Sequence, residues 1–214
     1  MKTKALFVAA AVFALILTGC GGGGDARPVF VATILSDQPS DGHIARDAIR
    51  DTITMGPNTL FFGFDDFVPT VPEYRAFLDF PLDGSTQQDV VPASATIVSA
   101  TLRVFVADMF FAAPVPTLLD LVAYPTSGLR SADFDSPLLA PGAFRSFDFL
   151  AIDVNNVVDI DVTSMMQEAQ ALGVLDFQVR FLVDDLAPAV GFVALDNRPS
   201  VTLTDPLLIV EYVL

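Results

Sequence analysis

The sequence predicts an all-β protein: a two-sheet, jelly-roll-like antiparallel β-sandwich with one short crossover helix. Three observations lead there. Apolar residues recur with a period of two through much of the chain, the pattern of strands with one buried face. The runs are short and are punctuated by clusters of Pro, Gly, Asp and Ser. One segment, around Met165 to Leu172, is built of helix formers instead. Hydrophobic residues make up 52% of the 214 and charged residues 17%, which suits a packed core and excludes a disordered binding tail.

The elements follow in order. Val29–Ile34, Ile44–Met55 and Thr59–Phe64 are the first candidate strands. Tyr74, Ala76, Leu78 and Phe80 alternate with Arg75 and Asp79, and Val98, Ala100, Leu102, Val104 and Val106 alternate with Ser99, Thr101 and Arg103. Leu118–Tyr124 and Phe149–Val162 come next. Asp161-Val162-Thr163-Ser164 offers N-cap oxygens, Ser164 and Gln167 fit a capping box, and Gly173 suits the helix end. Leu175, Phe177, Val179, Phe181 and Val183 then alternate with Asp176, Gln178 and Arg180. Val190–Leu195 and the run Leu208, Val210, Tyr212 close the chain. In this register Leu102, Val104, Phe177, Val179 and Phe181 face the core, and Arg103, Gln178 and Arg180 face away. A membrane β-barrel is the competing all-β reading, but it wants strands of about ten residues and aromatic girdles.

Ahead of these strands, Met1 to Lys4 is a short basic stretch and Ala5 to Leu17 an unbroken apolar run. The run falls short of the roughly 20 residues that span a bilayer and suits a signal peptide. It ends in Leu17-Thr18-Gly19-Cys20, which resembles the lipobox of bacterial lipoproteins, and Cys20 is the only cysteine. The resemblance implies cleavage after residue 19 and lipidation of the Cys20 thiol. The expected organisation is a signal peptide over 1–19, a lipidated cysteine with its Gly21–Gly24 tether over 20–27, and the sandwich over 28–214. Two or more acyl chains give stable anchoring, so a membrane is the first expected partner. Gly21, standing where an aspartate would favour inner-membrane retention, implies the outer membrane in a Gram-negative envelope.

The balance of 11 basic against 26 acidic residues gives a net charge of −15 and argues against nucleic acid as a partner. Loss of Lys2 and Lys4 with the signal would take it to −17, with arginine as the only strong base left.

Several segments resemble DNRLRE-type (disaggregatase-related) domains. Asp41-Gly42-His43-Ile44 is similar to their opening strand, and Arg75-Ala76-Phe77-Leu78-Asp79-Phe80-Pro81-Leu82 to a central one. Pro92 to Ile97 running into Ser99–Val104, the Asp161-Val162-Thr163 helix start, Asp196-Asn197-Arg198 and the strand from Pro206 to Tyr212 follow in the family's order. The likeness covers roughly residues 40–213, and Pro199-Ser200-Val201 departs from the naming motif. It implies a carbohydrate-binding-module-like β-sandwich, some relatives of which bind acidic polysaccharide.

Little in the composition points to catalysis. His43 is the only histidine, no serine sits in a G-x-S-x-G turn, and His43 reads as an ordinary, partly exposed strand residue. Asp65-Asp66 and Asp184-Asp185 read as solvated turns rather than a glycosidase pair. Asp133/Asp135 and Asp159/Asp161 could offer oxygens to a structural calcium, without a recognisable binding loop, and no metal ligand is assigned. Candidate ligand-binding residues are Arg75, Arg103, Arg180 and Arg198, on or beside strands with Arg46 and Arg50. Clustered on one sheet face they would form a groove for an anionic polysaccharide; otherwise each pairs with a neighbouring aspartate. The expected protein is therefore a cell-envelope lipoprotein with a non-catalytic binding module, for polysaccharide. The alternative is a structural envelope or matrix protein whose partner is another envelope protein.

Overall fold

The computed structural model describes residues 27–85, 88–184, 191–198 and 204–214. The expected signal peptide, Cys20 and most of the expected tether lie outside these residues, as do Asp185 and the segment 199–201. The protein is all-β, a curled antiparallel sheet folded into a sandwich-like body with a single α-helix among the described residues. The strands are β1 (Phe30–Leu35), β2 (Gly42–Arg46), β3 (Asp51–Met55), β4 (Leu60–Phe64), β5 (Glu73–Pro81) and β6 (Thr96–Phe110). After them come β7 (Val115–Leu121), β8 (Phe144–Phe149), β9 (Asn156–Asp161), helix α1 (Thr163–Leu172), β10 (Asp176–Val183), β11 (Phe192–Leu195) and β12 (Leu207–Val213).

Two groups of strands face each other. The long β6 pairs with β12 and then β11 along one side and with β9 along the other; β1 extends from β12 and β4 from β11. The second group runs β3-β2-β5-β10-β7-β8. The groups join where Gly63 and Phe64 of β4 pair with Tyr74 and Glu73 of β5. Leu102, Val104 and Val106 from the first group share one core with Leu78, Phe80, Phe177, Val179 and Phe181 from the second, all at most 1% exposed. The five core positions expected from the period-two pattern are all buried.

Helix α1 carries the chain from β9 to β10. It buries Met165, Met166 and Ala169 beside β6. Its start differs from the capping box expected at Ser164: Asp161 Oδ1 accepts from both the Thr163 N–H and hydroxyl, and the Gln167 amide instead donates to Ile97 O. Gly173 ends it at φ 66, donating to Gln170 O.

Three expectations shift for identifiable reasons. Ile44–Met55 is a hairpin of β2 and β3, because Asp47 accepts from the amides of Ile49 and Arg50 and turns the chain. Phe149–Val162 is likewise broken by a 3₁₀ turn at Ala151–Asp153. Val98 is exposed rather than inward, since the β12 register jumps from Glu211↔Ser99 to Tyr212↔Ile97 and skips it. Gln178 and Arg180 do take the face opposite the main core, as expected, but they are buried there. The β2–β3 hairpin and the segment 122–135 cover that face with a second small core of Ile44, Phe77, Val122, Tyr124, Leu129 and Phe134.

Candidate functional site

The arginines divide. Arg75 and Arg180 meet at one acceptor, each donating from Nη1 to the Phe134 carbonyl at 2.7 Å. The guanidinium carbons of Arg46 and Arg75 each lie 4.0 Å from the centroid of the Phe134 ring. Asp135 pairs with Arg46 and Arg75, Asp51 with Arg46, Glu73 with Arg75, and Asp120 with Arg180 at 2.7 Å. This cluster clamps the 3₁₀ turn Ser131–Asp135 to the sheet and turns most of its donors onto the protein itself, the buried Arg180 Nε being left without a partner. Arg103 and Arg198 stand elsewhere, on Asp159 and Asp196 at 2.7 and 2.8 Å. The four candidate arginines thus pair with acids, and the structure brings only two of them together.

The acidic pairs have the same fate. Asp133 Oδ2 accepts from the Arg130 amide, Asp159 holds Arg103 in two hydrogen bonds, and Asp161 accepts from the Thr163 hydroxyl and N–H at the start of α1. Hydrogen bonding to Arg103 holds the Asp159 carboxyl below its usual range, and hydrogen bonding to the Thr163 hydroxyl and then its N–H does the same for Asp161. Among the described residues no three acidic, histidine or cysteine side chains converge as metal ligands. In Asp196-Asn197-Arg198, Asp196 accepts from Arg198 and Thr204, and fully buried Asn197 accepts from the Ser36 hydroxyl. The motif acts as a clasp between distant segments.

A different residue opens onto a cleft. His43 and Ala45 of β2, Thr52 and Thr54 of β3, Tyr74 of β5 and the 68–72 loop enclose about 200 Å³, with Asp47 and Arg50 at the hairpin end. His43 is 6% exposed, and its Nδ1 has no hydrogen-bond partner. Burial pushes its pKa down to about 4, so at neutral pH the ring is uncharged, with one N–H donor and one acceptor. Tyr74 is pushed up, by burial and then by Asp65, and stays a phenol. The backbone N–H groups of Arg50 and Ile49 hold the Asp47 carboxyl down.

Aromatic rings line the path away from this cleft. His43 lies 5.3 Å from Phe61 and 5.6 Å from Tyr74, and Phe61 stacks on Phe192 at 5.0 Å. Phe192 touches Phe110, Phe110 reaches Phe67, and Phe67 meets Phe111 at 4.5 Å. Phe67, at the far end, is 74% exposed. Alternation explains the row: Phe62 and Val193 point into the core, so Phe61 and Phe192 take the other face. Between Thr70 and Pro72 of the cleft wall, Val71 is held at φ 42, an uncommon conformation for a β-branched residue. Hydroxyls, a neutral imidazole and aromatic faces suit a ligand that is itself uncharged, with hydroxyl groups on one side and C–H surface on another.

Reading the sequence by pattern misses this site. His43 sits in an alternating strand like any other, and its neighbours Phe61 and Tyr74 come from strands it does not follow in sequence. The only available signal was a lone histidine beside a glycine, Gly42, where an added Cβ would lie 2.4 Å from Thr54 O. No family model matches the chain, and no curated protein matches it.

Proposed function

We propose that this protein is a lipid-anchored component of a bacterial cell envelope whose sandwich binds polysaccharide without catalysis, at the His43–Tyr74 cleft. The observation that carries the reading is a buried, neutral imidazole with an unpartnered nitrogen, in a cleft walled by threonines and tyrosine and continued by a row of rings that ends at exposed Phe67. An uncharged glycan fits better than the anionic one for which arginines would be needed, because Arg75, Arg103, Arg180 and Arg198 are engaged by acids. A net charge of −15 also repels a polyanion. Lipidation at Cys20 would place the module at a membrane surface, with the acidic body standing off anionic lipid. The resemblance to DNRLRE-type domains supports a polysaccharide-binding sandwich, although the acidic polymers that some of those relatives bind differ from the uncharged glycan the cleft suits. Exposed Val29, Phe30 and Val31 beside the tether favour a second one, contact with another envelope protein.

A glycan array probed with the full chain in detergent micelles tests the proposal. Binding to neutral glycans, weakened about tenfold or more (1.4 kcal/mol) by His43→Ala or Tyr74→Ala, is the expected result. Absence of glycan binding, or binding that both variants retain, overturns it. The anchor is tested apart: Cys20→Ser should accumulate as precursor and take up no labelled palmitate.

A further inference from the structure

The turn that leads into β2 is closed on a pair of buried acids. Asp41, the residue before Gly42, and Asp79 of β5 are both 0% exposed. The Asp79 N–H donates to Asp41 Oδ1 at 2.8 Å, and the Asp37 N–H donates to Asp79 O at 2.7 Å, so the 36–41 turn is stitched to β5 from both directions. The second Asp41 oxygen and both Asp79 oxygens have no hydrogen-bond partner, nor has the Tyr124 hydroxyl nearby. Unpaired buried carboxylates are too costly to keep their charge.

Every charged group that faces the pair is acidic. Asp37, on the turn, acts on both; Asp176, on β10, acts on Asp79. Tyr124 faces all four acids and is itself held as a phenol by burial and then by them. The cation on the same face, Arg180, is committed to Asp120 and Phe134 O. No third acidic, histidine or cysteine side chain converges on the pair among the described residues, and protonation neutralises such a pair without any further ligand. Burial pushes the Asp79 pKa up to about 7, Asp176 and then Asp37 add to it, and Gln178 and Ser40 temper it without reaching hydrogen-bond geometry. Burial raises Asp41 well above the usual range too.

We propose that Asp41 and Asp79 are a proton-held latch on the binding strand: protonated, they pin the 36–41 turn to β5 and keep His43 seated in the cleft, and on ionisation they repel and loosen it. The chain gives the leverage, since His43 is two residues beyond Asp41 and its β2 neighbours pair directly with β5. The latch would make the cleft tightest in mildly acidic surroundings. It rests on the glycan reading only for this consequence, and its test uses no ligand.

His43 is the single histidine, so its ring Cε1–H gives one proton NMR line. His43 itself titrates near 4. Of the cleft groups, Asp47 is held low and Tyr74 is pushed up, so neither changes charge between pH 5.5 and 8.5. An inflection of the His43 line near pH 7 therefore reports the latch. It is expected in the full chain and expected to vanish in Asp79→Asn. Amide exchange gives a second reading: protection at the Asp37, Asp41 and Asp79 amides should fall by about tenfold per pH unit up to pH 7, once corrected for intrinsic rate. Should Asp79→Asn unfold, Asp41→Asn keeps an oxygen for the Asp79 N–H and removes the repulsion between the pair, so the pH-dependent fall in protection at the Asp37 and Asp79 amides should shrink in it. A His43 line that stays flat from pH 5.5 to 8.5, an inflection that survives in Asp79→Asn, or a fall in protection that is unchanged in Asp41→Asn overturns the latch and leaves the glycan reading standing.

Discussion

At the residue scale, the two kinds of arginine differ in what their loss does. Arg180 is buried against Asp120 and the Phe134 carbonyl, so Arg180→Ala strands a buried carboxylate. It should cost about 3–5 kcal/mol in urea unfolding, and replacing Asp120 as well should recover part of that. Arg103 and Asp159 are both near half exposed, so Arg103→Ala should stay within about 1 kcal/mol of wild type. Equal losses from the two variants would contradict the burial described for Arg180. The sequence pattern treats these two arginines alike, as the polar positions of alternating strands. Alternation says which face a side chain takes. It does not say whether another segment covers that face, and the cover over Arg180 comes from Phe134, 46 positions away in the chain. Phe177 shows the legible half: its inward position followed from period two alone, and Phe177→Ala should cost about 3–5 kcal/mol.

At the element scale, glycines mark where strands must come close. Gly63 of β4 sits at φ 110, and a Cβ there would lie 2.0 Å from the Gly191 carbonyl oxygen, which accepts from Phe64 N–H. Gly63→Ala should therefore cost more than about 2 kcal/mol and disturb the β4–β11 ladder beneath the Phe61–Phe192 stack. Gly173, at φ 66 with open space around it, should cost only about 1 kcal/mol as alanine. Thermal melts of the two variants check the order, and a reversed order would show that β4 and β11 are less tightly apposed. The helix was legible in place and at its Gly173 end, because helix formers and a left-handed glycine are local signals. The capping box expected at its start gave way to Asp161 and to the Gln167 bond to Ile97 O. The bulge that exposes Val98 was not legible, because it is a register shift in the pairing with β12, more than a hundred residues away in the chain.

For the whole molecule, the acids pull stability in two directions with pH. Asp79 has its pKa raised from the unfolded range to about 7, so its contribution is full below the unfolded value and is lost as pH rises towards 7. Asp51, Asp159 and Asp161 are held low by their partners, so theirs is full at neutral pH and lost as pH falls below the ordinary carboxylate range. Stability should thus peak in mildly acidic solution, and Tm should decline from pH 5 to pH 7.5. Asp79→Asn should flatten that decline, and a Tm that rises over the interval in the wild type would refute the assignment. The overall architecture was readable because strand count, strand length and one helix constrain it together. The site was not, because it is made where β2, β3, β4, β5 and β11 converge.

The most direct measurement is affinity electrophoresis of the full chain through gels holding either a neutral or a uronate-rich polysaccharide, with Tyr74→Ala and Arg103→Ala run alongside. Retardation by the neutral polymer that persists in Arg103→Ala and is lost in Tyr74→Ala is the predicted result. Retardation by the uronate polymer alone, lost in Arg103→Ala and kept in Tyr74→Ala, would contradict the account and return the binding surface to the arginines.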